Sequence, residues 1–143
     1  MNVKNTKYLL KKYPKLYAQY YWDKRDTCMC WGFPGDGWFK LIDTLSKRIT
    51  KLDREGEIQA TQVKEKFGGL RFYFRASGEN HKKLLKKHEA IGKLVQIAEE
   101  KSFSLCEECG KKGVIRKDLP WVLTLCKVHY ANKINFRYPK NKK

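Results

Sequence analysis

Two pairs of potential metal ligands constrain this chain more than any other feature. Two residues separate Cys106 from Cys109, two separate Cys126 from His129, and sixteen lie between the pairs. A two-residue gap lets one tight backbone turn point both side chains at the same ion, and two such turns complete a tetrahedron. The spacing therefore predicts one zinc ion bound by Cys106, Cys109, Cys126 and His129.

Four protein ligands leave no coordination position open for water. A closed tetrahedral site stabilises a fold and supplies no Lewis-acid chemistry, so we expect the zinc to be structural. The alternative is a redox pair of Cys106 and Cys109. Such pairs usually open a helix after a strand in a βαβ unit, and that setting is not visible here. Gly110 follows directly, where a tight turn favours a residue that tolerates positive φ.

The segment that carries the ligands predicts a small zinc finger. Apolar residues on both sides of residues 117–120 indicate a short hairpin that turns there, and residues 126–131 can begin a helix. A knuckle, a hairpin and a helix N-terminus in this order resemble a treble-clef zinc finger. We assign residues 105–136 to this finger, residues 1–104 to a core region and residues 137–143 to a basic tail, within one compact domain.

The core region predicts helices packed on a β-hairpin, and the whole chain an α+β fold. Pro14 divides residues 4–22 into two short helical pieces. Apolar residues recur at three- and four-residue steps over residues 38–52 and again over residues 80–101, which indicates two amphipathic helices. Asp36 is placed to cap the first of these two helices.

Residues 58–76 predict the β-hairpin itself. Two runs of alternating polarity flank Gly68 and Gly69, and a two-residue glycine loop suits the positive φ values of a tight turn. The mostly apolar face of the hairpin should meet the helices. The other face is basic around one aromatic ring, and its predicted cross-strand pairs are Lys66 with Arg71, Lys64 with Tyr73 and Gln62 with Arg75.

The charge of the chain indicates a polyanionic partner. Thirty-two Lys and Arg against fifteen Asp and Glu give a net charge of +17 at pH 7. An excess of this size is typical of nucleic-acid-binding proteins, although a Lys-rich surface without such a partner is the alternative. Because 41% of the residues are hydrophobic, the chain should nevertheless fold.

Three groups of side chains are candidate nucleic-acid contacts. A β face that carries a ring among cations suits single strands, since bases stack on the ring while the cations follow the phosphates, so RNA or single-stranded DNA is favoured. The alternative is a sheet whose outer face happens to be charged. The candidates are Lys64, Lys66, Arg71, Tyr73 and Arg75 on the hairpin face, Lys82, Lys83, Lys86 and Lys87 on the long helix, and Lys111, Lys112, Arg116, Lys117 and Lys127 around the finger.

Cysteine usage and hydropathy favour a cytoplasmic protein. The N-terminal residues contain no signal-peptide-like apolar run, and no stretch approaches the about 20 apolar residues of a membrane span. Five cysteines, an odd number, indicate metal binding and not a disulfide framework. Cys28 and Cys30 form a poor ligand pair, so a second metal site with His81 or His88 is the less favoured interpretation.

The residues give little support for an enzyme. His88 lies on the apolar stripe of its helix, His81 stands at the helix start, and we expect the acidic residues not to cluster into a site. Some treble-clef proteins are metal-dependent nucleases, but no His-Asn or Asp-His pair stands next to the finger. We therefore predict no catalytic residues and retain a nuclease only as a minor alternative.

The chain resembles a set of small uncharacterised proteins of bacteriophages and prophages. The residues that carry this resemblance are 36–39, 62–73 and 106–129. The resemblance covers about residues 30–130. It implies a phage or prophage setting and a treble-clef-like finger. That family has no assigned activity, so the resemblance implies nothing about a reaction.

A phage setting raises a second hypothesis, an inhibitor or modulator that binds a host protein complex of defence or transcription. The partner could also be a host nucleoprotein complex. Such a protein would depend on an exposed apolar patch and not on cations. Candidate residues for this patch are Tyr17, Tyr20, Tyr21 and Trp22, which could equally belong to the core.

Overall fold

The computed structural model describes residues 1–78 and 81–137, and within them the fold is α+β as predicted. The strands form two antiparallel pairs, β1 with β2 and β3 with β4. In chain order the elements are α1 (Val3–Lys12), α2 (Phe39–Leu52), β1 (Ile58–Lys66), β2 (Gly69–Ala76), α3 (His81–Ser102), β3 (Val114–Arg116), β4 (Leu123–Leu125) and α4 (Lys127–Arg137). Of the predicted basic tail, residues 138–143 lie outside the described residues.

The N-terminal segment divides where Pro14 predicts it to. α1 ends at Lys12, and a 3₁₀ turn, Ala18–Tyr21, follows the proline. Proline lacks the N–H that a helix interior needs, so the helix cannot run through it. Asn2 caps α1, because its side-chain oxygen accepts from the Asn5 backbone N–H at 2.8 Å.

The predicted N-cap at Asp36 is wrong. α2 begins at Phe39 after a 3₁₀ turn, Asp36–Trp38, and no side chain caps it. The Asp36 carboxylate instead accepts from the backbone N–H of Asn2 at 2.9 Å and from the side-chain amide of Asn5 at 3.0 Å. Asp36 therefore ties the start of α1 to the segment that leads into α2.

One core joins the helices to the inner face of the β1–β2 hairpin. The long helices α2 and α3 contribute apolar side chains at helical spacing. Burying one large apolar side chain stabilises the fold by about 1.5–3 kcal/mol. The buried residues include Ile42, Leu45 and Ile49 from α2, Ile91, Val95 and Ala98 from α3, and Ile58, Val63, Leu70 and Phe72 from the hairpin. Leu85, on the predicted stripe of α3, remains 62% exposed, so the first turns of α3 lie at the edge of this core.

The hairpin turns one residue earlier than predicted. Its loop residues are Phe67 and Gly68, with φ of 53° and 77°, so both have the positive φ of a type I′ turn. The predicted partners are therefore wrong by two positions, but a shift of two preserves which side chains share a face. On the outer face the observed pairs are Lys66 with Gly69, Lys64 with Arg71, Gln62 with Tyr73 and, beyond a bulge, Gln59 with Arg75.

Long-range contacts explain this difference. A Cβ atom on Gly69 would lie 2.4 Å from the ring of Phe103, so this glycine serves a close approach and not the turn. The carbonyl of Gly68 accepts from the Thr124 hydroxyl at 2.6 Å. The turn is thus fixed by segments far away in the chain.

Candidate metal centre and nucleic-acid interface

The four predicted metal ligands come together in the finger, with their ligand atoms all within 4.8 Å of one another. The Sγ atoms of Cys109 and Cys126 are 3.9 Å apart, and Nδ1 of His129 lies 3.5 Å from Cys106 Sγ and 3.2 Å from Cys126 Sγ. In a tetrahedron with metal–ligand bonds of about 2.0–2.3 Å, ligand atoms lie about 3.3–3.8 Å apart. The arrangement fits a single metal ion.

The local backbone explains how the ligands reach this position. In the knuckle, residues 106–109, the Gly110 N–H donates to the Cys106 carbonyl at 2.8 Å, and Gly110 has the positive φ of 73° that its sequence position predicts. Cys126 directly precedes α4, and His129 lies in the first turn of that helix. The predicted hairpin between the ligand pairs is also confirmed, as β3 and β4.

The electrostatics of the ligands differ. The backbone N–H of His129, helped by the His129 side chain, lowers the pKa of the Cys126 thiol to about 6, whereas burial raises the pKa of Cys106. A cysteine binds metal as the thiolate. The charge of a bound ion would favour ionisation of the buried Cys106 thiol.

The knuckle packs directly against the segment before α2. The Gly37 N–H donates to the Glu107 carbonyl at 2.8 Å, and the Trp38 indole donates to the Leu105 carbonyl at 3.0 Å. A Cβ atom on Gly37 would lie 2.0 Å from the Cys106 carbonyl oxygen. The finger therefore shares backbone contacts with the core.

Cys28 and Cys30 do not join a metal cluster among the residues that the structure describes. Cys28 is exposed, and the Cys30 thiol lies 3.3 Å from the Thr27 carbonyl oxygen, to which it donates. The other group with metal-binding residue types consists of three carboxylates, Asp53, Glu55 and Glu57.

Those three carboxylates hold the ammonium of Lys87. It lies 2.7 Å from Asp53 Oδ1 and 3.1 Å from Glu55 Oε2, and it is also bonded to Glu57. Although burial opposes it, hydrogen bonds to these acids raise the pKa of Lys87. The expectation that the acidic residues do not cluster is therefore wrong, because the fold brings these three together. The prediction that Lys87 contacts nucleic acid is also wrong, since its side chain is only 7% exposed and is not available to a phosphate.

The other cations of α3 are placed differently from Lys87. Lys82, Lys83 and Lys86 are exposed. The ammonium of Lys83 lies 3.3 Å from Glu55 Oε1, at the edge of the same carboxylate cluster. The hydrogen bond from the Glu55 backbone N–H, together with Lys87 and Lys83, lowers the pKa of Glu55 to about 2.

On the hairpin face, cations lie against aromatic rings. The ammonium of Lys64 is 5.4 Å from the ring centre of Tyr73, which is 43% exposed. The Arg75 guanidinium is 4.8 Å from the ring centre of Trp22, a residue that the sequence predicts only as part of an apolar patch. Tyr73, Arg75 and Trp22 are exposed and Lys64 is half-buried, so rings and cations alternate along this surface.

The remaining predicted contacts are less uniform. Arg71 is half-buried, lies 3.9 Å from Glu99 Oε2 and donates to the Leu70 carbonyl at 2.8 Å. Lys66 is exposed with its ammonium 5.5 Å from the Phe67 ring centre. Around the finger, the Arg116 guanidinium lies 4.0 Å from the Tyr130 ring centre, and the exposed lysines are Lys111, Lys112, Lys117 and Lys127.

Two clefts border the hairpin, and both are lined by Cys28 and Gln62. The first, of about 500 Å³, includes Tyr73 and Arg75. The second, of about 380 Å³, includes Glu107, a residue that the sequence gives no reason to single out. Burial, together with Glu65 and Glu108, raises the pKa of Glu107 to about 7.

The chain matches no family model, no curated protein and no solved structure. Its function is therefore argued from the residues that the fold brings together. Within the described ranges, no helix is both long enough and apolar enough to cross a membrane.

Replacing Gly37 with Ala should destabilise the protein by about 1–3 kcal/mol or more, because the added methyl group would meet the backbone of the knuckle. Chemical denaturation measures this loss. Gly92→Ala is the matched control, since nothing lies within 4 Å of its new Cβ atom and alanine favours the helix by about 1 kcal/mol. Equal stability of the two variants would show that the close approach is unimportant.

Replacing Lys87 with Met should lower the free energy of unfolding by about 3–5 kcal/mol near neutral pH, because the buried Asp53 would lose its cationic partner. Within the described residues, only the backbone N–H groups of Glu57 and Ile58 would still donate to its carboxylate. In the wild type, the stabilisation from Glu55 is fully present above its ordinary pKa of 4.5 and is lost as the pH falls towards about 2. Urea unfolding across this pH range should show a weaker pH dependence in the variant.

Lys86→Met is the control for this measurement, since Lys86 is an exposed neighbour on the same helix. It should leave both the stability at neutral pH and its acid dependence close to those of the wild type. If Lys87→Met behaves as Lys86→Met does, the buried cluster contributes no net stability.

Proposed function

We propose that this protein binds one structural zinc ion and uses its hairpin face to bind single-stranded nucleic acid, with RNA or single-stranded DNA as the ligand. The observation that carries the proposal is the exposed ring of Tyr73, which lies among Lys64, Arg75 and Trp22. Bases stack on such rings regardless of sequence, while the neighbouring cations pair with phosphates.

Zinc is the ion that the donor set favours. Three thiol sulfurs and one imidazole nitrogen, close to tetrahedral spacing, form a common structural zinc site. All four positions come from the protein, so the ion would stabilise the finger and activate no water. Its role would be to hold the knuckle, and with it the loop that borders the hairpin.

Single strands suit this surface better than a duplex. The rings of Tyr73 and Trp22 lie on and beside a short two-stranded sheet, and Tyr73 needs an unpaired base to stack on. The net charge of +17 supplies the long-range attraction, and the first cleft leads from Tyr73 towards Gln62. The predicted lysines around the finger would extend the path of the phosphates.

Protein purified without added metal should contain one zinc ion per chain by elemental analysis. A chelator should unfold the finger and lower the stability of the core, because Gly37 and Trp38 contact the knuckle. Cys126→Ser should lose the metal, whereas Cys28→Ser, outside the cluster, should retain it. Protein that folds fully with no bound metal would refute the zinc site.

Lys64→Ala combined with Arg75→Ala should weaken binding to a fluorescent single-stranded RNA and reduce the salt dependence. Each phosphate contact on a single strand contributes about 0.7 to the slope of log K against log salt, so the slope should fall by about 1.4. Tyr73→Ala should cost about 1–3 kcal/mol of affinity through lost stacking, with little change in slope. Fluorescence anisotropy at several salt concentrations measures both effects.

Lys47→Ala combined with Arg48→Ala removes the same charge from the exposed side of α2 and is the matched control. It should change affinity much less than the hairpin variant. Equal effects of the two double variants would mean that only net charge attracts the strand and that the hairpin face is not the site.

A second candidate function is the binding of a protein partner. Three apolar side chains that line one further cleft are strongly exposed: Val3 at 69%, Tyr21 at 76% and Trp31 at 75%. Of the four aromatics predicted for such a patch, Tyr17 is buried and Tyr20 half-buried. The resemblance to phage and prophage proteins supports a host protein or nucleoprotein complex as this partner. Tyr21→Ala would then abolish co-purification of the complex without affecting RNA binding.

A further inference from the structure

The second cleft lies along β1, between the loop at residues 31–35 and the knuckle. Its volume is about 380 Å³. One wall is apolar, with Trp31 75% exposed and Phe33 half-buried. The other walls carry polar side chains, Gln62 and Lys64 from β1 and Glu107 from the knuckle.

Glu107 is a buried carboxylate that the described residues leave without a full set of donors. The residue is 9% exposed, and its Oε2 atom is buried without a hydrogen-bond partner. Its backbone is fully used, since its N–H donates to the Thr124 carbonyl at 3.0 Å and its carbonyl accepts from Gly37. Buried polar groups are normally paired. Because Glu107 lines the cleft, a donor bound there is placed to satisfy its carboxylate.

The two other carboxylates of this cleft already have partners. Glu65 accepts from the Gly68 N–H at 2.7 Å and from the Trp121 indole at 2.8 Å, one bond to each oxygen. Glu108 is exposed and pairs with Lys133 at 3.3 Å. Among the carboxylates that line the cleft, Glu107 is therefore the one that needs a donor.

We propose that this cleft binds one guanine base of the strand that the hairpin face holds. The inference rests on the proposed function, because the strand brings the base to the cleft. Glu107 accepts from the N1–H and the N2 amino group of guanine, and the ring of Trp31 contacts the face of the base. Lys64, at the border of the cleft, is placed to pair with the adjoining phosphate.

The donor pattern of the bases selects guanine. Its Watson–Crick edge carries two adjacent donors, which one carboxylate can accept together. Adenine and cytosine each present one amino group beside an acceptor, and uracil presents one N–H between two acceptors. When ionised, the Glu107 carboxylate only accepts hydrogen bonds. It would then face those acceptors unfavourably, so the ionised form discriminates against the other three bases.

The position of the cleft supports a base over a cationic side chain of a protein. Both clefts share Cys28 and Gln62, so a strand stacked on Tyr73 reaches Glu107 by following the sheet. The lysine that lines the cleft and the net charge of +17 attract phosphates and repel arginine-rich peptides. A nucleic-acid strand can pair its phosphates with the cations and its base donors with the Glu107 carboxylate.

The test compares short oligouridylates that carry one central guanosine, inosine or adenosine with the unsubstituted strand, by fluorescence anisotropy on the full chain. The guanosine strand should bind about 5- to 150-fold more tightly than the uridine strand, the range of a good bidentate contact. Inosine lacks the N2 amino group and should fall between them. Glu107→Gln, which presents an amide N–H₂ in place of one oxygen, should abolish the preference while binding to oligouridylate remains.

Glu108→Gln is the matched control and should retain the guanosine preference, since this exposed neighbour has its own partner. Zinc content and circular dichroism check that each variant folds. If Glu107→Gln does not fold, Trp31→Ala replaces it, because that exposed ring can be removed without disturbing the core, and it should reduce the preference as well.

The outcomes separate the two proposals. If the wild type binds all four strands equally, or if Glu107→Gln keeps the guanosine preference, the guanine site is wrong and the proposed function stands. If no strand binds, the proposed function fails as well. Binding of an arginine-rich peptide that Glu107→Gln abolishes, without any guanosine preference, would assign the cleft to a protein partner and overturn the proposal.

Discussion

The close approach of two backbone segments, the knuckle and the glycine-containing segment before α2, is the constraint on which the rest of the structure depends. Cβ atoms on Gly35 and Gly37 would lie 2.2 and 2.0 Å from the carbonyl oxygens of Glu107 and Cys106. No larger side chain fits there without moving one of the chains. Because the indole of Trp38 also bonds to the Leu105 carbonyl, the start of α2 and the metal site have one fixed geometry.

The parts of the fold that depend on local sequence could be predicted, and the parts that depend on distant contacts could not. Helical periodicity placed α2 and α3, and two-residue ligand gaps placed the knuckle and the first turn of α4. The hairpin loop was misplaced because Gly68 and Gly69 face Thr124 and Phe103, which lie far along the chain. Those contacts put a phenylalanine at a positive φ, where local preference would put glycine.

The candidate site shows the same division between local and distant information. In the sequence, Lys87 is indistinguishable from the neighbouring lysines of α3. In the fold, a hydrogen bond to Asp53, 34 positions away, draws its side chain into the interior. Trp22 and Arg75 meet only because the segment after α1 returns to the hairpin. Composition thus predicted that the surface is basic, but only the fold shows which cations remain exposed and which rings accompany them.

Glu107 connects the structural and the functional parts of this molecule. It stands next to the ligand Cys106, its carbonyl accepts from Gly37, and its side chain faces the cleft beside β1. A closed metal site supplies no chemistry of its own. The ion can therefore affect function only by ordering the backbone of the knuckle. Residues 105–107 contain the metal ligand Cys106, the two carbonyls that accept from Trp38 and Gly37, and the unpaired Glu107 carboxylate. An ion bound at the knuckle would therefore fix the position of the Glu107 side chain that lines the cleft.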